Sequence, residues 1–198
     1  YNHEVEKLET ANGRITKVVS AGRELKADIV IAGSDYHHTE TTLLDSENRT
    51  YSDDFWNQKS LAPSCLIYYL GVNKRLKKLL HHNLFFDEDY DEHAKSIYTT
   101  HTWPVHPLFY VCCPSVTDNS VAPEGMENLF LLIPVAAGLN DSLEIRNEYF
   151  RKVMKRLEKY CGENISGHLV YYRSYAPSDF KADYNAFKGN AYGLANTL

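Results

Sequence analysis

The sequence predicts an α+β fold, in which a mixed, largely antiparallel β-sheet is backed by helices. Strand-like segments outnumber long helices and do not alternate with them strictly, which favours this class over a doubly wound fold. One long amphipathic helix is predicted, over Ser142–Tyr160. The 198 residues are 43% hydrophobic and 24% charged, a composition typical of a globular protein with a sizeable core.

Three strands are predicted near the N terminus, over Glu4–Glu9, Arg14–Ser20 and Glu24–Ala32. The pairs Asn12-Gly13 and Ala21-Gly22 separate them, and Gly and Asn suit tight turns because they tolerate positive φ. The third strand ends in the apolar run Ile29–Ala32. A run that is apolar on both faces predicts a strand buried inside a covered sheet.

Two short helices are predicted next. Asp35 or Thr39 can cap a helix that extends to about Leu44, and Ser52 can open a helical turn that carries Phe55 and Trp56. Each cap residue offers a side-chain oxygen to the free N–H groups of the first turn.

The middle of the chain predicts a sheet. Strands are expected over Cys65–Val72, Asn83–Phe86, Leu108–Cys113, Leu129–Val135 and Leu169–Ser174. The basic segment around Leu76–Leu80 is predicted to be helical, and the pattern of Asp91–Thr100 leaves helix and strand open.

The helix over Ser142–Tyr160 has the clearest pattern in the chain. Its apolar positions recur every three or four residues, which indicates one buried face: Tyr149, Phe150, Val153, Met154, Leu157 and Tyr160. Asp141 is predicted to cap its N terminus, with Glu144 reaching back to it, and Gly162 to end it in a left-handed conformation.

Charge and cysteine content exclude several classes. The net charge of −5 argues against nucleic-acid binding, and the basic run Lys74–Lys78 is short enough to be a solvated helix face. The four cysteines show no C-x-x-C spacing, which disfavours a zinc site and a redox pair and favours reduced thiols in the cytoplasm. No apolar run approaches the roughly 18 residues of a membrane span. A soluble or peripheral protein is expected.

Glycine and acidic motifs exclude other sites. No G-x-G-x-x-G occurs, so the chain lacks the usual cradle for a dinucleotide pyrophosphate. Gly162–Leu169 has the glycine spacing of a phosphate loop but lacks its Lys and Ser or Thr. The acidic run Asp87–Glu92 lacks the glycine and the terminal glutamate of an EF-hand, because Glu92 and Tyr98 stand there. It is interpreted as a solvated surface.

Nine histidines include two adjacent pairs, His37-His38 and His81-His82. Neighbouring residues on a strand or helix do not easily aim at one ion, so no metal site is predicted. No G-x-S-x-G elbow is present either, which leaves a hydrolase without support.

Tyrosines cluster at Tyr68-Tyr69, Tyr171-Tyr172 and Tyr175. Aromatic strands usually pack in a core, but aromatic faces also suit the wall of a long apolar tunnel. The pattern leaves both interpretations open.

Several short motifs, each occurring once, follow one another in a definite order along most of the chain. They are Leu61–Ser64, His81–Phe86 followed by Asp89-Tyr90, Pro107–Val111, Ser115–Asp118, Ala122–Gly125, Leu132–Val135, Asp179-Phe180 and Gly189–Leu194. In this order and at these spacings they resemble the bacterial-type phytoene desaturases, FAD-dependent enzymes of carotenoid synthesis. The segments Pro114–Val135 and Gly189–Leu198 contribute most to the resemblance.

The resemblance implies an FAD-dependent dehydrogenase that converts the apolar C40 polyene phytoene towards lycopene. The flavin does the redox chemistry, and the protein orients the substrate. It also implies peripheral membrane contact and the substrate domain of a two-domain, amine-oxidase-like fold. Open alternatives are a related desaturase or isomerase acting on another polyene, and a non-catalytic module that binds polyenes or lipids.

The family pattern also implies a division of the chain. Residues 1–35 are expected to be an incomplete piece of the FAD-binding domain, 36–185 the substrate-binding domain, and 186–198 the return towards the FAD domain. Val5 matches a strand valine whose backbone contacts the adenine, and Ala32–Asp35 matches a loop near the flavin domain. No catalytic residue of the family can be transferred to this chain. Because the glycine-rich segments are absent, the chain alone is expected to bind little FAD and to be inactive.

Overall fold

The computed structural model describes residues 2–195 and contains two antiparallel sheets. The small sheet has the order β1-β2-β3, with β1 at Val5–Ala11, β2 at Arg14–Ser20 and β3 at Arg23–Leu25. The large sheet has the order β5-β6-β7-β4-β8. Its strands are β4 Ser64–Val72, β5 His82–Phe85, β6 Phe109–Cys112, β7 Glu127–Val135 and β8 Leu169–Tyr175.

Five α-helices accompany the sheets: α1 Tyr36–His38, α2 Asp53–Gln58, α3 Tyr90–Tyr98, α4 Leu143–Cys161 and α5 Pro177–Tyr184. The first continues as a π-helical turn over Thr39–Leu43. The α+β class with a largely antiparallel sheet is therefore confirmed. Within residues 2–195, no helix combines the length and the hydrophobicity needed to cross a bilayer.

The small sheet agrees with the sequence only in its first two strands. The predicted turns are present, with φ of 53° at Asn12 and 50° at Ala21. The third strand is wrong, because β3 ends at Leu25 and the apolar run after it lies in solvent, with Ile29 80% and Ile31 89% exposed. β3 pairs with β2, and no described strand pairs with residues 26–33, so nothing removes these side chains from water.

The main core lies between the large sheet and α4. Alternate residues of β7 point at the helix and are fully buried: Leu129, Leu131, Ile133 and Val135. Val153 and Leu157 of α4 are also fully buried in the same cluster. Each such side chain stabilises the fold by about 1.5–3 kcal/mol through its burial. The predictions for this helix and its neighbouring strands are confirmed, except that Tyr160, which was expected on the buried face, is 50% exposed at the last turn.

The N-cap residue of the long helix α4 differs from the predicted one. Ser142, not Asp141, is the N-cap, because its Oγ accepts the N–H of Ile145 at 3.3 Å. The Asp141 carboxylate instead binds the Arg146 guanidinium and the Ser178 backbone N–H. It thereby joins α4 to α5, and Arg146 in turn pairs with Asp179 of α5. At the other end, Gly162 has a φ of 71°, as predicted.

The remaining segments show which local signals dominate. The segment Leu76–Leu80 is not helical, because side chains bind its N–H groups: Glu127 accepts from Leu76, and Asn83 accepts from Leu80. The undecided segment after Asp89 is helical, with Asp89 accepting the N–H of Glu92. The predicted caps Asp35 and Ser52 are confirmed. Helix α5 was not predicted from the sequence.

The segment after α5 returns alongside the start of β4. Ala62 N–H donates to Gly193 O at 3.0 Å, and Ala191 N–H donates to Pro63 O at 3.2 Å. The Asp35 carboxylate accepts from the Phe187 N–H and from the Asn190 amide, which fixes the segment to the start of α1. Residues 196–198, the end of the predicted third region, lie outside the described residues.

Candidate functional site

The large sheet has a second face that α4 does not cover, called here the open face. Strand pairing places two rows of side chains on it, because directly opposed residues of antiparallel strands share a face. One row runs across the strands as His82, Cys112, Phe130, Tyr69 and Arg173. The next runs as Leu84, Tyr110, Leu132, Ile67 and Tyr175.

Aromatic rings form a continuous band on the open face. The ring centroids of Tyr69 and Phe130 are 5.5 Å apart, those of Phe130 and Tyr110 are 6.3 Å apart, and those of Tyr110 and His82 are 6.0 Å apart. Phe130 and Tyr110 are half-buried and Tyr69 is 38% exposed. The band therefore presents aromatic surface that the described residues leave partly uncovered.

The alternation of the strands settles what the tyrosines do. Tyr68 points at α4, is fully buried, and donates its hydroxyl to Arg146 O at 2.6 Å. Tyr69, its neighbour, points to the open face. Tyr175 lies on that face too but is buried, because Phe180 of α5 packs on it with ring centroids 4.9 Å apart. The core-packing interpretation is thus confirmed for Tyr68 and Tyr175, and the tunnel-wall interpretation stays a prediction for Tyr69.

An apolar cleft of about 300 Å³ adjoins the open face beside α3. The sheet contributes Leu84, Tyr110 and Pro134, and α3 contributes a second wall that includes Tyr90, Ala94, Ile97 and Tyr98. Leu84 is 67% exposed at the edge of the sheet. The cleft has the volume and the apolar character of a small ligand pocket.

His93 fixes α3 against the sheet at this cleft. Its Nδ1 accepts the N–H of Leu108 at 2.8 Å, so the neutral ring carries its proton on Nε2, which lies 2.8 Å from Pro134 O and donates to it. The ring is almost fully buried, and this burial lowers the pKa of His93 below the usual value. A neutral histidine that joins two backbone groups is a positioning residue for the wall of the cleft.

A polar cluster lies at the β5–β6 edge of the same face. His82 Nδ1 is 2.6 Å from the Tyr110 hydroxyl, and His81 Nδ1 is 2.6 Å from the Thr117 hydroxyl. Burial and the neighbouring Cys112 raise the pKa of Tyr110 to about 12. The structure brings His81 and His82 side by side, with ring centroids 4.3 Å apart, although adjacent histidines were expected to aim apart.

A second hollow, of about 500 Å³, lies between the start of α1 and the returning segment. Gly33, Ser34 and Asp35 line one side, and Asn190 and Gly193 line the other. The sequence motifs Ala32–Asp35 and Gly189–Leu194 thus meet here. Val5 does not line this hollow or the cleft; it is half-buried at the start of β1, opposite Ser20.

The described residues do not fit the pyrophosphate of FAD. A dinucleotide cradle needs a glycine-rich turn between a parallel strand and a helix. Every strand pair in residues 2–195 is antiparallel, and no such turn occurs there.

Sequence reasoning missed the α3 wall of the cleft. The signal for this helix was present, since Asp89 stands three residues before Glu92 as a cap. No signal showed that Leu84, Tyr110 and Pro134 of three strands meet α3, because that depends on strand order.

Comparison with known proteins identifies the group to which the chain is related. It is 44% identical over 171 residues to the carotenoid 3,4-desaturase of Haloarcula japonica, covering 86% of the chain and 34% of the relative. It is 30% identical over 205 residues to the zeta-carotene-forming phytoene desaturase of Myxococcus xanthus, covering all of the chain and 38% of the relative. The chain belongs to the carotenoid desaturase family. This confirms the resemblance predicted from the ordered motifs.

The carotenoid desaturase family includes relatives with different substrates. The lycopene-forming phytoene desaturase of a Paracoccus strain is 29% identical over 203 residues, covering all of the chain and 40% of the relative. The chain therefore spans a little over a third of the length of these relatives. No protein-family model matches it.

A solved structure shows the same fold at low identity. An oxidoreductase from Methanosarcina mazei superposes with a TM-score of 0.57 and 16% identity, covering 88% of the chain and 37% of that protein. The fold of this carotenoid desaturase segment is thus an established one.

Proposed function

We propose that this chain forms the substrate-binding part of an FAD-dependent carotenoid desaturase and that the open face contacts the polyene. The observation that supports this most is the aromatic band of Tyr69, Phe130 and Tyr110 leading to an apolar cleft. A polyene is flat, apolar and long, so a row of aromatic faces suits it better than a compact polar pocket.

The energetics favour an apolar ligand on this surface. Covering apolar area stabilises a complex by about 25 cal/mol per Å², before the cost of association. Besides the tyrosine hydroxyls, the polar side chains of the first row lie at its two ends: Arg173 on β8, and His82 and Cys112 at the β5–β6 edge. A polyene that runs from Tyr69 to the cleft would leave that edge free.

The flavin in this proposal belongs to the whole protein that carries the chain. It would supply the acceptor for the hydrogen that is removed from the polyene. From this chain, Val5 and the loop Ala32–Asp35 are proposed to lie next to it, which corresponds to an FAD-domain piece at residues 1–35 and a substrate domain at 36–185. The returning segment is proposed to span 186–198, and its residues 186 and 190–193 line the hollow beside Asp35.

Membrane contact is proposed for the edge at Leu84. Leu84 and Phe86 are 67% and 61% exposed beside the cleft, and a carotenoid dissolved in lipid must enter from an apolar phase. Peripheral contact at this edge would shorten the path of the substrate through water.

The specific reaction proposed is the desaturation of phytoene towards lycopene. The 44% identity to a carotenoid 3,4-desaturase supports a later polyene as the alternative substrate. A non-catalytic polyene-binding module is the second alternative.

The whole protein should be produced in a bacterial host that accumulates phytoene, and in a second host that accumulates lycopene, with products separated by chromatography.

The outcomes distinguish the proposals. Conversion of phytoene to longer chromophores supports the leading proposal, and conversion in the lycopene host alone supports the later polyene. No product in either host, together with pigment retained on the purified protein, favours the binding module.

A matched pair of variants tests the site itself. Leu84→Ala should reduce turnover several-fold because it removes apolar surface at the cleft. Leu143→Ala should leave turnover unchanged, since Leu143 is similarly exposed, at 71%, but lies at the start of α4. Equal effects in the two variants would reject the cleft as the polyene site.

A further inference from the structure

Three side chains with metal-binding atoms meet at the β5–β6 edge of the large sheet. One ligand atom each from His81, His82 and Cys112 lies within 4.8 Å of the other two. His82 and Cys112 are direct partners across β5 and β6. His82 is exposed, and the other two are half-buried, so an ion could reach all three.

The two imidazoles face one point because His81 stands outside the strand. β5 begins at His82, so the alternation of side chains within a strand does not apply to His81. The His81 carbonyl accepts the N–H of Cys113 at 2.8 Å, which fixes its backbone to the start of the turn after β6. The rings are therefore held side by side, tilted by 40°.

Hydroxyl groups orient both rings. Thr117 Oγ1 is 2.6 Å from His81 Nδ1, and the Tyr110 hydroxyl is 2.6 Å from His82 Nδ1. A metal-bound histidine commonly donates its second ring N–H to such a partner, which leaves Nε2 as the ligand atom.

We propose that His81, His82 and Cys112 bind a borderline divalent transition metal, of which Zn²⁺ is the type. Two imidazole nitrogens and one thiolate favour Zn²⁺ over Mg²⁺ or Ca²⁺, which require oxygen ligands. Three protein ligands leave a fourth position for water or another ligand. This proposal does not depend on the proposed desaturase function.

The geometry requires only a small contraction. Tetrahedral Zn²⁺ has bonds of about 2.0–2.1 Å to nitrogen and about 2.3 Å to sulfur, so its ligand atoms lie roughly 3.4–3.6 Å apart. Rotation of the exposed His82 and of the half-buried His81 and Cys112 would bring their ligand atoms, now within 4.8 Å of one another, to this spacing. On binding, the S–H bond of Cys112 breaks, a Zn–S bond forms and one proton passes to solvent, so affinity should fall as pH falls.

A bound metal would also crosslink the edge strand β5 to its neighbour β6. Among residues 2–195, β5 pairs only with β6, over four residues, and its outer side is a sheet edge. A metal bound by residues of both strands would hold β5 in register beside the cleft.

Cobalt and zinc titrations test the proposal on the 198-residue chain, reduced and treated with a chelator. Co²⁺ should bind one per chain and produce a thiolate-to-cobalt charge-transfer band with the strong visible bands of tetrahedral coordination. Added Zn²⁺ should remove these bands by displacement. Absence of the charge-transfer band, or octahedral spectra alone, would overturn the proposal.

Variants assign the ligands. Cys112→Ser should abolish the charge-transfer band, and His81→Gln and His82→Gln should each weaken Co²⁺ binding by at least about 100-fold. Tyr110→Phe, which keeps the ring but removes the hydroxyl, should weaken it by about 10–100-fold. The controls Cys161→Ala and His106→Gln should bind as the original chain does.

Folding of each variant is checked by circular dichroism before titration. Tyr110→Phe keeps the test valid if a ligand variant does not fold. Unchanged binding in Cys112→Ser, or equal losses in the Cys161 and His106 controls, would also overturn the proposal.

Discussion

The two faces of the large sheet are made from the same strands but differ in almost every physical respect. Towards α4, β7 presents Leu129, Leu131, Ile133 and Val135, all fully buried and aliphatic. Towards the open face, the same strand presents Phe130, Leu132 and Pro134, all half-buried. One face is a closed core, and the other is a surface with apolar area still to cover.

The comparison shows that the side-chain alternation of a strand separates residues that stabilise the fold from residues that are available for binding. Residues at odd positions of β7 stabilise the fold, and those at even positions are available to a ligand. A substitution on one face should therefore alter stability, and its immediate neighbour should alter binding. Neighbouring residues are thus the natural controls for each other.

The largest expected difference in stability is between alanine variants at Leu131 and Leu132. Leu131→Ala should lower the free energy of unfolding by about 2–5 kcal/mol, because it creates a cavity in a closed core. Leu132→Ala should cost clearly less, since the half-buried site can admit water. Urea denaturation of both variants measures this difference. Similar costs would mean that the open face is as tightly packed as the core.

The next largest effect concerns the segment that closes part of the open face. Gly189 has a φ of 64°, and an added Cβ would lie 2.4 Å from Pro177 O. Gly189→Ala should cost about 1–3 kcal/mol or displace the segment from Ser64, whose hydroxyl donates to Gly189 O at 2.5 Å. Denaturation and limited proteolysis at residues 186–195 measure it.

Gly125→Ala is the matched control for that prediction. Gly125 has a similar φ of 75°, but no atom lies within 4 Å of its added Cβ. It should show only the backbone cost of roughly 1–2 kcal/mol. If the Gly125 variant is the less stable of the two, the close approach to Pro177 is not important.

A smaller effect is expected from pH at His93. Burial lowers its folded pKa below the unfolded value of about 6.5, so folding favours the neutral ring. Between the folded and the unfolded pKa, the unfolded chain therefore binds more protons than the folded chain. The contribution of His93 to the free energy of unfolding should be fully present above about pH 6.5. It should fall as the pH decreases below that value, by about 1.4 kcal/mol per pH unit until the folded pKa is reached. Denaturation midpoints between about pH 7 and pH 5 measure this loss.

His93→Gln isolates the contribution of the imidazole. Glutamine can offer both a donor and an acceptor to Pro134 and Leu108, but it does not titrate. Its stability should be lower at pH 7 and less dependent on pH. An unchanged pH dependence in the variant would assign the loss to other groups.

The smallest effect distinguishes Tyr68 from Tyr69. Tyr68→Phe removes the hydrogen bond to Arg146 O and should cost about 1 kcal/mol. Tyr69→Phe should change stability by less than about 0.5 kcal/mol, because its ring is partly in solvent on the open face. Thermal unfolding of the pair tests this. A larger cost at Tyr69 would place it in a closed core.

The sequence predicted the core well because its signals are local and periodic. The spacing in Ser142–Tyr160 and the apolar runs of β4 and β7 each indicate which side chains are buried. One error arose because a partner is distant and another bond competes locally: Leu76–Leu80 is not helical because Glu127, 51 positions away, accepts the N–H of Leu76, and Asn83, three positions away, accepts that of Leu80. Similarly, Ile29 and Ile31 have an apolar pattern but no described partner strand.

The sequence predicted the family to which the chain belongs, but it did not predict where the candidate site lies in the fold. The ordered motifs identified the carotenoid desaturase family, and the comparisons confirmed it. The cleft depends on the order β5-β6-β7 and on α3, and neither follows from local pattern. The meeting of His81, His82 and Cys112 was missed because it depends on where β5 begins and on its register with β6.

The Asp35 carboxylate has a consequence for the order of events during synthesis. It bonds to Phe187 and Asn190, which lie 152 and 155 positions further along the chain. At about 5–20 residues per second, a ribosome needs roughly 8–30 s to make the partners after Asp35 itself. During that interval Asp35 can already cap α1, but the returning segment does not yet exist. The start of α1 and the beginning of β4 therefore reach their final arrangement only after the returning segment has been synthesised.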